Sequence, residues 1–196
     1  MPITIDGDGT ITGVSVGGLP DGIVDTDMLA AGAVTAAKRG AGAILQVVQS
    51  SKTDTDSMTG TTFTDLGLSV TITPSSSSSK ILILCFASIA ASSGFDCSVR
   101  LLRGSTAISV GDAAGNRTQS TSTFTGNWTT ANYARQNVAI NYLDSPATTS
   151  ATTYKIQGRS YASSIVVYIN RGHQDTDLAD YEARAASSII AMEVAA

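Results

Sequence analysis

From Ile44 onward the apolar residues of this chain return at every second position, which commits the region to strands with one buried and one open face. Leu68, Val70 and Ile72 alternate with polar neighbours in the stretch 63–72, and Ile44-Leu45-Gln46-Val47-Val48-Gln49 opens the pattern. Residues 80–90 form a near-continuous apolar run, as expected for the middle of a sandwich or for a subunit interface. Further strands are expected at 97–103, 107–111, 121–124, 133–143, 153–158, 164–170 and 187–194. Turn signals part them at short spacing: Arg103-Gly104-Ser105, Gly111-Asp112, Gly126-Asn127, Asp144-Ser145-Pro146 and Arg171-Gly172. Pro74 with the serine run 75–79 reads as a loop short enough for a hairpin. About nine or ten strands in some 150 residues predict an antiparallel β-sandwich, jelly-roll-like, so the fold class is all-β.

The first 43 residues read differently and are expected to form a separate extended arm, with the head domain over 44–196. Ile3, Ile5, Ile11, Val14, Val16 and Leu19 stand as lone apolar residues among Gly, Thr and Asp. They suggest short strands too small to enclose a core. Asp25-Thr26-Asp27 supplies N-cap candidates for one short Ala-rich helix over 28–37, closed by Lys38-Arg39-Gly40. That helix would carry Met28, Leu29, Ala33, Val34 and Ala37 with nothing of its own to pack on, so it needs sister chains or a neighbouring protein.

Composition narrows function. Charged residues are 14% of the chain, Lys and Arg number 12 against 16 Asp and Glu, and the net charge is −4. So few cations cannot supply the phosphate contacts on which nucleic-acid affinity rests, nor a polybasic membrane patch. Ser and Thr make up about a quarter of the chain, in keeping with a strand- and turn-rich protein. No basic stretch opens the sequence, so a signal peptide is not expected and synthesis in a cytoplasm is. The longest apolar run is about half the ~20 residues that a spanning helix needs, so membrane insertion is not expected. Cys85 lies in an apolar run and reads as a small core residue; a bridge to Cys97 between neighbouring strands is the alternative.

Signals for chemistry are thin. His173, the one histidine, has Asp175, Asp177 and Asp180 nearby, ligand types for a divalent metal, but without the glycine turn and distal Glu of a calcium loop. A polar surface loop is the preferred reading. Asp6-Gly7-Asp8-Gly9-Thr10 opens like an EF-hand, yet the twelfth position is Gly17 and offers no ligand. No serine occupies a Gly-x-Ser-x-Gly elbow, and no Gly-Lys-Ser/Thr phosphate loop occurs. The chain is therefore expected to be no enzyme, and to need no cofactor and no metal. Trp128, Tyr133, Tyr161 and Tyr181 fall at or near turns, where a ring could meet a sugar or a partner, or staple a loop to the core.

Two stretches carry a resemblance. Met28-Leu29-Ala30-Ala31-Gly32-Ala33-Val34-Thr35-Ala36-Ala37-Lys38 resembles a unit found, often repeated, in tail-fibre and related virion proteins of tailed bacteriophages. Here it occurs once, with Arg39 where an apolar residue is usual. Gly67-Leu68-Ser69-Val70-Thr71-Ile72-Thr73-Pro74 with its serine run and Lys80-Ile81-Leu82-Ile83, then Asn141-Tyr142-Leu143-Asp144-Ser145-Pro146 and Tyr168-Ile169-Asn170-Arg171, are similar to structural proteins of aquatic phages. The resemblance implies a virion protein made in the host cytoplasm, most simply a homotrimeric tail fibre or receptor-binding appendage. Met28, Leu29, Ala33, Val34 and Ala37 would then line the trimer interface. The arm residues Ile3, Ile5, Ile11, Val14, Val16 and Leu19 would anchor to tail or capsid proteins, by strand addition to a partner sheet. Loops bearing Trp128, Tyr133, Tyr161, His173 and Tyr181 would face a host glycan or protein. A capsid decoration, or cement, protein is the alternative, and an enzyme acting on a surface polysaccharide is the third.

Overall fold

In the computed structural model the chain divides into two compact units, Met1–Gly40 and Ala41–Ala196. The structure describes residues 33–34, 38–94, 96–125, 134–180 and 182–196, together with the backbone of 4–5 and 11–12. In the first unit, β1 (Thr4–Ile5) pairs antiparallel with β2 (Ile11–Thr12), with Ile5 opposite Ile11. Ile3, Val14, Val16, Leu19, Met28, Leu29 and Ala37 lie outside the described residues. Of the expected helix over 28–37 only Ala33 and Val34 are described, and these two are not helical; its other residues lie outside the described residues.

The second unit is all-β, and every strand pairing in it is antiparallel. Its strands are β3 (Ile44–Lys52), β4 (Asp56–Thr59), β5 (Thr64–Ile72), β6 (Lys80–Ala91), β7 (Asp96–Arg103) and β8 (Thr106–Ile108). They continue as β9 (Ser122–Thr125), β10 (Gln136–Asp144), β11 (Thr152–Ser160), β12 (Val166–Ile169) and β13 (Ser187–Val194). In one sheet, β6 pairs with β10 on one edge and with both β13 and β12, end to end, on the other. β13 carries β3 outside it, and β12 carries β4. The second sheet runs β5-β11-β7, with β8 and β9 sharing the far edge of β7.

Both sheets feed one hydrophobic core. Ile81, Ile83, Cys85, Ala87 and Ile89 of β6 enter it from the first sheet, and Leu66, Leu68, Val70 and Ile72 of β5 from the second. The alternation that marked Leu68, Val70 and Ile72 in the sequence is thus the core-facing set of β5. Three differences from the sequence expectation concern a connection and two strands. β5 and β6 belong to different sheets, so the serine run 75–79 crosses between sheets rather than closing a hairpin. β4, with Met58 as its only large apolar residue, is an additional strand held by β12. The strand expected at 107–111 stops at Ile108, because Ser109 adopts a left-handed φ of 53°.

Polar ties gather at the end of the core where β6 begins, since Asp144 and Glu193 both stand opposite Ile81. Arg103 of β7 donates to both carboxylate oxygens of the buried Asp144 at 2.9 Å, and the Tyr154 hydroxyl donates to the same group at 2.7 Å. Burial and this bond together push the Tyr154 phenol well above its usual range. On the other side of Ile81, Glu193 of β13, fully buried, receives the Ser75 amide and hydroxyl at 2.7 and 2.6 Å and the Gln46 side-chain amide at 2.6 Å.

Both cysteines are buried and neither is in a disulfide, Cys85 lying in the first sheet and Cys97 in the second. The alternative bridge between neighbouring strands is not formed, and β6 and β7 are not neighbours but belong to different sheets. Burial pushes the Cys85 thiol up to about 12; burial, with the Asp96 carboxylate nearby, raises that of Cys97 to about 11. Neither thiol should react with a maleimide in the native protein near neutral pH, and both should react once it is denatured. Intact-mass spectrometry before and after denaturant reads this directly; native labelling of either cysteine would contradict its placement.

Candidate functional site

The apolar run of β6 serves two faces. Its odd-numbered residues point into the core, while Leu82, Leu84 and Phe86 point the other way, onto the outer face of the first sheet. Strand register extends this face into cross-strand rows. Leu143, Leu82, Met192 and Val47 form one row across β10, β6, β13 and β3. Asn141, Leu84, Ile190 and Gln49 form the next, and Ala139, Phe86, Ser188 and Ser51 the third. Beyond the first row, Val194 pairs with Ile44 on one side and Lys80 on the other. Lys80 is the one charged residue among these positions, and none is acidic, in a chain whose net charge is −4.

Water meets much of this surface: Val47 is 56% exposed, Phe86 44%, and Ile44, Leu84 and Leu143 are exposed as well. Five large apolar side chains on one face form a patch of the kind that marks an interaction site. The relief is uneven. Phe86 stands between Ala139 and Ser188, whose short side chains leave a hollow of about 350 Å³ bounded also by Leu84 and Ile190. Knob and hollow therefore occur side by side on one surface. The outer face of the second sheet is of opposite character, with Thr71, Thr153, Lys155, Asp65, Gln157 and Arg100 tied by hydrogen bonds and an ion pair.

The residues singled out in the sequence distribute unevenly. Trp128, Tyr133 and Tyr181 lie outside the described residues. Tyr161 follows β11 and is 63% exposed. His173 is half-buried: its Nδ1 lies 3.1 Å from the Tyr168 hydroxyl, and the Arg171 guanidinium sits over the same tyrosine ring at 4.2 Å. Burial raises the Tyr168 phenol above its usual range. Asp175 is held by Arg184 at 2.5 Å and Arg171 at 3.4 Å. Among the described residues no three metal-type ligands gather. Ala33 is half-buried and Val34 exposed.

The outer-face residues Leu82, Leu84, Phe86, Ile190 and Met192 were not separable from the core set by sequence reasoning. The available signal was the run itself, since a strand apolar at consecutive positions needs cover on both faces. Neither a protein-family model nor a curated protein matches the chain.

Proposed function

We propose that the chain is a non-enzymatic virion structural protein, a homotrimeric tail fibre or receptor-binding appendage of a tailed phage. Residues 1–43 serve as the arm that engages other virion proteins, and 44–196 as a jelly-roll head. The jelly-roll reading rests on strand order. Taking β3/β4 as the first column and β12/β13 as the eighth, the sheets run 1-8-3-6 and 2-7-4-5, the order of two interleaved Greek keys.

The observation that carries the functional reading is the apolar, carboxylate-free outer face of β10, β6, β13 and β3. Removing its large side chains from water would contribute on the order of 1 kcal/mol each. Copies of the same chain fit it, because three such faces turned toward a common threefold axis would cover one another's apolar side chains. Arm residues Ile5 and Ile11, already paired as short strands, suit addition to a partner's sheet edge.

Light scattering of the full chain should give about 60 kDa, three times the chain mass. Phe86→Arg should yield a folded monomer, while Thr71→Arg on the opposite sheet should leave the trimer intact. A monomeric wild type, or a Phe86→Arg variant that stays trimeric, would defeat the assembly reading. Imaging of whole virions decides location: density at the tail supports the appendage, and density over the capsid lattice replaces it with a decoration protein.

A further inference from the structure

A second surface lies on the outer face of the other sheet, at the end of β7, β9 and β11. Thr123, Ser98 and Arg159 stand in one cross-strand row there, and Asp96 lies one step further along β7. Short hydroxyl side chains form the floor. Arg159, Tyr161 and, from the loop after β8, Arg117 rise around it, enclosing a groove of about 400 Å³. That volume suits a small-molecule cleft.

Charge distinguishes this groove from the rest of the face. Lys155, further along β11, is neutralised by Asp65 at 2.7 Å. Arg117 and Arg159 form no ion pair among the described residues. Both guanidiniums are nevertheless positioned. Arg159 Nη1 donates to the Thr118 hydroxyl, and Arg117 Nη1 to the Ala114 carbonyl at 3.3 Å. Two held guanidiniums, neither in an ion pair, outnumber the one carboxylate of the groove in a chain of net charge −4, which suits a ligand with an anionic group. The Asp96 carboxylate in the same wall argues against a bare polyanion and for a ligand that also brings hydroxyl donors. The Tyr161 ring at the rim offers a flat apolar surface.

From this combination we infer that the groove binds a carboxylate-bearing saccharide. Arg117 and Arg159 take the acidic group, Asp96 and the floor hydroxyls take ring hydroxyls, and Tyr161 lies against a sugar face. The inference rests on the receptor-binding half of the proposed function and names its ligand class.

The test is titration calorimetry on the full chain with trigalacturonate and sialyllactose, beside maltotriose and lactose as neutral counterparts. At least one acidic oligosaccharide should bind saturably and more tightly than its neutral counterpart. Arg117→Ala and Tyr161→Ala should each weaken it about tenfold, with unchanged melting curves. Arg159→Lys keeps charge and loses the fork, and should weaken it as well. The inference fails if neither acidic sugar binds at about 10 mM, if the neutral sugars bind equally, or if the variants bind as wild type. It also fails if inorganic phosphate or a short oligonucleotide competes as effectively as the sugar, which would make the groove a simple anion site. Loss of the glycan site would leave the trimer and its virion location standing. A capsid location would remove the appendage reading while leaving measured sugar binding in place.

Discussion

Asn170→Ala is expected to destabilise the head by about 3–5 kcal/mol, out of proportion to a change in one residue after a four-residue strand. Asn170 sits where two columns of the first sheet are broken, between the end of β12 and the start of β13, and opposite the gap between β3 and β4. Its side-chain amide donates to the carbonyls of Lys52 and Asp54, each at 2.8 Å, and its Oδ1 accepts from the Ser187 hydroxyl at 2.6 Å. That hydroxyl accepts the Ser88 amide in turn at 3.0 Å. The Asn170 backbone completes the knot, donating to the Ser88 carbonyl and accepting from the Ala185 amide.

Asn170 is wholly buried, and alanine would strand carbonyls and a hydroxyl away from water. The left-handed φ of 64° adds a cost that asparagine tolerates better than alanine. Asn170→Gly should therefore lose less than Asn170→Ala, and Asn170→Asp, which keeps an acceptor and loses both donors, should be at least as damaging as glycine. Urea unfolding monitored by tryptophan fluorescence gives the numbers. A loss below about 1 kcal/mol for alanine would mean that the broken columns are held by something else.

The second large effect is a pH dependence centred on Glu193. Burial alone would raise this carboxyl, but hydrogen bonds from Ser75, Gln46, Ser79 and the Ser75 amide outweigh it and hold it at about 2, against an ordinary 4.5. Between those values the unfolded chain binds the proton and the folded chain does not. The contribution to stability is therefore complete above about pH 4.5, declines as the pH falls, and is gone below about pH 2. Its size is on the order of 3 kcal/mol.

Glu193→Gln should be less stable than wild type at neutral pH, because its amide nitrogen meets donors where an acceptor is required. That deficit should shrink steadily on acidification. Chemical denaturation of both proteins at pH 7, 5, 3.5 and 2.5 checks this; a deficit that is the same at the two extremes would show that Glu193 is not held as its contacts require.

Several elements were legible from residues alone. The strand expected over 187–194 is β13, Ser187–Val194, whose Ile189 and Ala191 are the inward members of the alternation. β5 was similarly plain. β4 was not, since Asp-Ser-Met-Thr carries a single large apolar side chain and becomes a strand only because β12 offers it a partner. Asn170 looked like any asparagine after an apolar stretch. Its role arises from chain segments near residues 52–54, 88, 170 and 185–187 meeting at one point, and sequence spacing does not announce that meeting.

The groove was half visible. Tyr161 stood out as an aromatic near a turn, but Arg117 and Arg159 are 42 positions apart and nothing in the sequence joins them. They come to one groove because Arg159 of β11 donates to Thr118, in the loop after β8 that carries Arg117.

The sequence by itself determined that residues 44–196 are strands, roughly where most of them begin and end, and which side chains of each strand share a face. That information is local, because side-chain direction alternates along an extended backbone whatever lies around it. Only the tertiary structure decided which strands pair and which face is covered. In β6 both faces are apolar, so alternation alone leaves Ile81, Ile83, Cys85 and Ile89 equivalent to Leu82, Leu84 and Phe86. Register with β10 and β13, and the second sheet packed on one side, place the first set in the core and leave the second facing outward.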